Sequence, residues 1–359
     1  MKILCVIDSL GSGGAQRQLV NLAIGFKKKG HDVNFLVYHD INFFNELLEE
    51  HSIHVTIINE KNYLRRLLKM RKFIRSGNYN SVLSFLEAPN LICELAGLPF
   101  RKWKLIVGER SADPKILKSI KLKVYRWFHF LADEIVANSK ENIALINKVN
   151  PLISLKKCKV IYNMVDFEKW HSDINYTPFT NGKFNLIVVA SHRYLKNLDG
   201  LVEAVNLLDY SEKNRLRIDW YGEQAHDDSK LKAELKINSY GLNDIFKFHN
   251  PILKIHERVK QANALGLFSF YEGFPNVVCE AMAASKPVIS TSVSDISLFI
   301  KDEKLLSNPN DIETIHLSIK YVLELSEKQL LEKGKENYNI AIRFFNNDNI
   351  IESYLKILI

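Results

Sequence analysis

Residues Ala264–Val288 read ALGLFSFYEGFPNVVCEAMAASKPV, and the way this stretch breaks decides the fold. The run Leu265–Phe270 is apolar, lacks a 3.6-residue period and stops at Gly273 and Pro275, so it predicts a buried strand. Pro275 suits the first turn of a helix, where its missing N–H costs nothing. Beyond it, Val277, Val278, Ala281, Met282 and Ala284 form an inward face, and Pro287 stops the helix. A strand that turns sharply into a helix aims free backbone N–H groups over the strand's end, a setting for an anion. Glu272 stands on the break, and Glu280 lies about one turn further in, among small and apolar residues.

The same alternation runs along the whole chain. Strands are expected at Ile3–Ile7, Val33–Val37, His54–Ile58, Val82–Phe85, Lys104–Val107, Glu134–Ala137 and Lys159–Ile161, with helices such as Ala15–Lys28, Arg65–Arg75 and Lys140–Val149 between them. A second series is expected at Asn185–Ala190, Arg217–Tyr221, Ile245–Phe248, Gly266–Phe270 and Val288–Ser290. This order implies the α/β class, with parallel sheets covered by helices on both faces. Two doubly wound domains follow, at 1–165 and 184–328, joined by a polar linker at 166–183. The tail 329–359 is expected to be helical. Such sheets place ligands at the carboxyl ends of their strands.

The chain has 359 residues, of which 47% are hydrophobic and 25% charged, as in globular proteins rather than disordered ones. A formal net charge of +8 fits a phosphate-bearing partner or an anionic membrane surface. The four cysteines, Cys5, Cys93, Cys158 and Cys279, form no C-x-x-C pair and read as thiols in a reducing compartment. Lys2–Ile7 enters a strand directly, without signal-peptide architecture, and no apolar run is long enough to span a bilayer. A cytoplasmic protein is expected, peripheral on the inner face of the membrane if it meets one.

Three loops carry chemistry. Asp8–Arg17 (DSLGSGGAQR) follows the first strand, so Gly13 and Gly14 let a ligand approach a helix N-terminus, or simply make a tight turn. The loop is not G-x-G-x-x-G, although Asp40 lies where a dinucleotide fold places its ribose acid, which leaves a nicotinamide-dependent oxidoreductase as an alternative. Gly108-Glu109-Arg110-Ser111 follows the fifth strand; Glu109 either orients an acceptor hydroxyl or pairs with Arg110 as support. Val188–Asn197 (VVASHRYLKN) sets Arg193, Lys196 and Asn197 between a strand and a helix, a composition suited to a diphosphate.

Two segments are basic without acids. Lys61–Arg75 holds Arg65, Arg66, Lys69, Arg71 and Lys72 among Leu64, Leu67, Leu68 and Ile74. Lys115–Arg126 holds Lys118, Lys121 and Lys123 among Leu117, Ile120 and Val124, with Trp127 and Phe128 following. Either one alone fits a core-packed helix with a solvated face; the two together favour an anionic lipid surface. Nucleic acid is not expected, because no recognition motif or aromatic stacking platform is present.

Glu272 and Glu280, framed as E-G-F-P-N-V-V-x-E-A-M-A-x-x-x-P-V-I, resemble the signature of retaining glycosyltransferases of the GT4 class. Taken alone, an E-x7-E pair fits a solvated helix; the framed string is more specific. G-G-A-Q-R resembles the first-domain loop of that class, Ile161–Asp166 its I-x-N-G-V-D interdomain segment with Met164 for glycine, and Val188–Asn197 its V-G-R-L-x-x-x-K-N loop. In the last, Ala190 and Ser191 replace Gly-Arg, while Lys196 and Asn197 match directly. The loop that often carries a histidine has Arg110 instead.

The resemblance implies a GT-B fold of two Rossmann-like domains facing across a cleft, with terminal helices crossing back to the first. It implies retaining transfer from a nucleotide-diphosphate sugar without a metal, in keeping with the absence of Asp-x-Asp. Arg193, Lys196 and the helix N-terminus at Asn276 and Val277 would take the leaving diphosphate. Glu272 with the backbone of Gly273 and Phe274 would hold the sugar, Glu280 the ribose, and Gly222 the region of the base. Gly13 and Gly14 would lie near the diphosphate and acceptor. The acceptor expected from the basic segments is a saccharide on a polyprenyl diphosphate, as in bacterial surface-polysaccharide assembly. A non-catalytic nucleotide-sugar-binding module remains an alternative.

Overall fold

Strands buried on both faces of a sheet send alternate side chains to opposite sides, so each needs apolar residues throughout. In β1 (Lys2–Val6) and the residue after it, Ile3, Cys5 and Ile7 enter one core, while Leu4 and Val6 enter the other. The structure is a computed structural model that describes residues 1–171 and 182–359; most of the expected linker, 172–181, lies outside the described residues. It divides into two units, one of Met1–Met164 with Asn347–Ile359 and one of Val165–Asn346.

The first unit adds β2 (Asp32–Val37), β3 (His54–Ile57), β4 (Ser81–Phe85), β5 (Lys104–Glu109), β6 (Glu134–Ala137) and β7 (Cys158–Val160). All pairs are parallel, in the order β3-β2-β1-β4-β5-β6-β7. The helix Asn347–Leu358 covers one face with Ile350, Ile351, Tyr354, Leu355 and Leu358. Its end is fixed by Ser81 Oγ donating to the Leu358 carbonyl at 2.5 Å.

The second unit contains β8 (Phe184–Val189), β9 (Leu216–Tyr221), β10 (Phe246–His249), β11 (Ala264–Leu267), β12 (Val288–Thr291) and β13 (Leu306–Ser307), ordered β10-β9-β8-β11-β12-β13 and again parallel. Of the segment 329–359, only Asn347–Ile359 belongs to the first unit; the helix Glu327–Phe344 lies in the second. There Gly334 presses against the Ser285 carbonyl and Asn337 donates to the Lys286 carbonyl at 2.8 Å.

Apart from shifts of one or two residues at strand ends, such as β5 running on to Glu109 rather than Val107, the sheets differ from expectation in two places. β13 is an additional edge strand, too short to show a period. β11 stops at Leu267 rather than Phe270, because beyond it the Phe270 amide donates to the Leu195 carbonyl at 2.9 Å instead of to a neighbouring strand. Both sheets reverse strand order beside their central strand, between β1 and β4 and between β8 and β11, and ligands bind in such sheets beyond that reversal.

Candidate functional site

In the second unit the loops after β8 and β11 meet at the reversal. Lys196 Nζ lies 2.5 Å from Glu272 Oε1, and Ser269 Oγ donates to the same oxygen at 2.7 Å. Both members of the pair keep 14% of their side-chain surface exposed, enough for a ligand to reach them. The loop around Glu272 is pinned from β12 and the residues after it: Thr291 Oγ1 donates to the Ser269 carbonyl and Ser294 Oγ to the Gly273 carbonyl, each at 2.7 Å. A fixed carboxylate beside a fixed ammonium can therefore present its charges without rearranging backbone. The side chains expected to take the diphosphate and the sugar are thus in direct contact.

The helix Asn276–Ala283 begins at Pro275, which supplies no side-chain cap, so its opening amides point toward the turn. Asn276 and Val277 are partly exposed in its first turn. Glu280, on the same helix, is 8% exposed. Phe274 is a core residue, packed on Phe299 and Phe345, which leaves only its backbone for a ligand. Arg193 is exposed; after the hydrogen bond from the Tyr194 amide, its charge also helps hold the Asp227 carboxyl below its ordinary value.

Asn197 has a left-handed backbone at φ 57°; its Oδ1 accepts the Gly200 amide at 3.1 Å, and its Nδ2 donates to the Pro309 carbonyl at 3.0 Å. It caps the helix Leu198–Asn206. Gly222 marks a close crossing: a Cβ there would sit 1.9 Å from the Ala190 carbonyl oxygen. Because backbone meets backbone, Gly222→Ala is expected to cost about 2–4 kcal/mol, read as a lower urea midpoint with unchanged slope. Beside it, His249 stacks on Tyr221 with centroids 4.3 Å apart and bonds Asp219 at 2.7 Å.

In the first unit Gly13 is the cap residue and Gly14 the first residue of the helix Gly14–Lys28. Gln16 donates to Asp8 Oδ1 at 3.0 Å, which closes the loop on itself. Arg66 lies over the rings of Tyr38 and Tyr63, at 4.3 and 5.3 Å, close to the carboxyl ends of β1 and β2.

Glu109 does not pair with Arg110. It is 2% exposed, with Oε2 2.7 Å from Arg126 Nη2 and Oε1 3.0 Å from His129 Nε2. Arg126 reaches Glu87 at 3.2 Å, and His129 Nδ1 reaches Glu94 at 2.6 Å. Burial pushes the Glu109 carboxyl up, but Arg126 and His129 outweigh it and hold it below the ordinary value. Burial lowers His129, yet Glu94 and Glu109 outweigh that and raise it to about 9. Both oxygens are engaged internally, a geometry that supports β5 from within. Arg110, next in sequence, turns the other way: it donates to Asn163 at 3.2 Å and to Tyr354, and its guanidinium lies 3.8 Å from the Phe85 ring centre.

Sequence reading missed Glu94, His129 and Ser269. Glu94, an acid inside the apolar run Leu91–Leu95, carried a usable signal, because an isolated charge on a buried helix face needs a partner. The basic segments also need revision. Arg71 donates to the carbonyls of Leu95, Ala96 and Leu98, and Arg75 to those of Ala96, Leu98 and Phe100, closing the end of the helix Glu87–Ala96. With Arg126 buried on Glu109 and Glu87, three of the basic side chains are engaged by acceptors of the protein itself.

Residues 12–169 match the model of Glycosyltransferase Family 4, and residues 172–338 that of Glycosyl transferases group 1. Two Campylobacter jejuni proteins are similar over the whole chain. One, 24% identical over 98% of its own length, is named as an alpha-1,4-N-acetyl-D-galactosaminyltransferase acting on GalNAc-alpha-(1->4)-GalNAc-alpha-(1->3)-diNAcBac-PP-undecaprenol. The other, 26% identical over 99% of its length, is named as an N-acetylgalactosamine-N,N'-diacetylbacillosaminyl-diphospho-undecaprenol 4-alpha-N-acetylgalactosaminyltransferase. Among solved structures, Anabaena HepE in complex with UDP superposes with a TM-score of 0.86 at 18% identity, covering 100% of this chain and 99% of that one. The chain belongs to the GT4 class of glycosyltransferases and has the GT-B fold of two Rossmann-like domains.

Proposed function

We propose that this glycosyltransferase moves a sugar, with retention of its anomeric configuration, from a nucleotide-diphosphate sugar to a saccharide carried on a polyprenyl diphosphate. The observation that carries the reading is the Lys196–Glu272 pair at the strand reversal of the second unit. Departure of a diphosphate leaves negative charge on oxygen and positive character on the sugar, so a cation and a carboxylate held together can serve both. Arg193, Lys196 and the amides at Asn276 and Val277 take the diphosphate. Glu272 and the backbone of Gly273 and Phe274 take the sugar hydroxyls, and Glu280 takes the ribose. With two side-chain cations in this role, the reaction is metal-independent.

The acceptor assignment draws on the relatives' lipid-linked substrates and on the surface of the first unit. Leu64 and Leu68 are 63% and 56% exposed on the helix Tyr63–Ser76, and Ile120 and Trp127 are 80% and 46% exposed on Ile120–Trp127. Arg65, Lys69, Lys72, Lys121 and Lys123 lie among them, the composition of a surface that rests on anionic headgroups. No helix among the described residues is long and apolar enough to cross a membrane. The enzyme would work peripherally at the cytoplasmic face of the inner membrane, with Arg66 available to the acceptor's diphosphate.

The test is transfer from UDP- and GDP-sugars to a polyprenyl-diphosphate saccharide, with the product anomer read by NMR. Retention, and turnover unchanged by EDTA, are expected; inversion or abolition by EDTA overturns the mechanism. Ile120→Glu combined with Leu64→Glu is expected to reduce sedimentation with anionic vesicles several-fold, while turnover of a short-chain soluble acceptor is kept. Equal sedimentation with neutral vesicles removes the membrane assignment.

A further inference from the structure

A groove of about 970 Å³ lies in the second unit beside the donor loop, at the upper end of the range for ligand pockets. One end is formed by Tyr194 and Phe270, each two residues from a member of the Lys196–Glu272 pair. Their rings stack at 5.0 Å and 28°, and Tyr194 is 72% exposed, so a flat aromatic face looks into open space. Leu235, on the helix Ser229–Ser239, and Ile312 add exposed apolar wall.

The charged lining is fixed by its own pairing. Lys236 bonds Asp199 at 2.7 Å and Glu203 at 2.6 Å, and Lys232 bonds Asp228 at 2.8 Å. Asp227 accepts the amides of Tyr194 at 3.0 Å and Ser229 at 3.1 Å. Three aspartates and two lysines line the groove, so its net charge is −1. Such a wall offers phosphate little net attraction. Held carboxylates accept hydroxyl hydrogens strongly, and the electron-rich face of a tyrosine attracts the C–H face of a sugar ring.

We infer that this groove binds a neutral oligosaccharide, with one sugar on Tyr194 and others running toward Leu235. The inference rests on the proposed sugar transfer for the identity of its ligand, and it adds a place where a glycan chain is held next to the donor loop.

The test uses the full chain, saturating UDP and two neutral probes: maltotriose and an α-1,4-linked N-acetylgalactosamine trisaccharide. Saturation-transfer NMR is expected to show contact with at least one, and calorimetry to give its affinity. Tyr194→Ala and Leu235→Glu are each expected to weaken that affinity about five- to tenfold, with the UDP-induced thermal shift unchanged. Leu235 is exposed on its helix, so its variant keeps the fold even if the Tyr194 loop is disturbed. No contact with either probe, displacement of the probe by UDP, or unchanged affinity in both variants overturns the inference. Because binding is read without turnover, trisaccharide binding in a chain that transfers no sugar would sink the proposed function and leave the groove assigned.

Discussion

Lys196→Ala is expected to lower kcat/KM about a thousandfold in sugar transfer, the upper range for losing one fixed donor at a site of developing charge. Two effects have to be separated. Lys196 is the partner of Glu272, and both are largely shielded from solvent, so truncation also leaves a carboxylate with only Ser269 Oγ. That cost to stability is about 1–3 kcal/mol, below the figure for a fully buried pair because some water reaches the site. The double variant Lys196→Met with Glu272→Gln removes both charges and should recover most of the lost stability while transfer stays absent. Such a cycle assigns the kinetic loss to chemistry rather than to folding. Turnover of Lys196→Ala within threefold of the parent chain would remove the diphosphate role.

The fold was legible because a parallel strand buried on both faces must be apolar throughout, and such runs stand out between amphipathic helices. The same property misplaced the end of β11. Phe268 is apolar because it is buried, not because it belongs to the ladder, and composition does not separate the two. The site was legible where a motif fixed it, at Glu272 and Lys196, but their contact spans 76 residues of chain and no local pattern reports it. Glu109 and Arg110 show the opposite failure. Adjacent in sequence, they invited pairing, yet successive residues at a strand's end point to opposite faces. Glu109 therefore finds Arg126 and His129, while Arg110 finds Asn163 and Tyr354. Likewise, charge can be counted from the sequence, but a partner for it cannot. Arg71, Arg75 and Arg126 look like surface cations until their carbonyl and carboxylate acceptors are in place.

The cluster around Glu109 sets the second large effect. Arg126→Met is expected to destabilise the protein by about 3 kcal/mol, because it leaves the buried Glu109 without one of its two cations and takes the partner of the partly exposed Glu87 as well. The pH dependence gives an independent reading. His129 is raised from an ordinary 6.5 to about 9, so its contribution is complete below pH 6.5 and is lost as pH rises through about 9. Burial raises Glu94 by more than His129 lowers it, so its contribution too is present below 4.5 and is lost as pH climbs through its raised value. Glu109 is held low and acts at the other end: its contribution is present above 4.5 and is lost as pH falls through its depressed value. Denaturant midpoints should therefore decline from pH 6.5 to about 9, and His129→Gln should flatten that decline, since a glutamine side chain cannot titrate. An equal alkaline slope in His129→Gln would mean that His129 is not the group responsible. The consequence reaches the neighbouring loop of the first unit through geometry. The cluster joins the helices Glu87–Ala96 and Ile120–Trp127 to the last residue of β5, and Arg110 follows at once. Loosening it should release the Arg110 loop before the sheet itself opens, with the loop's amides exchanging hydrogen at a lower denaturant concentration than the loss of helical signal.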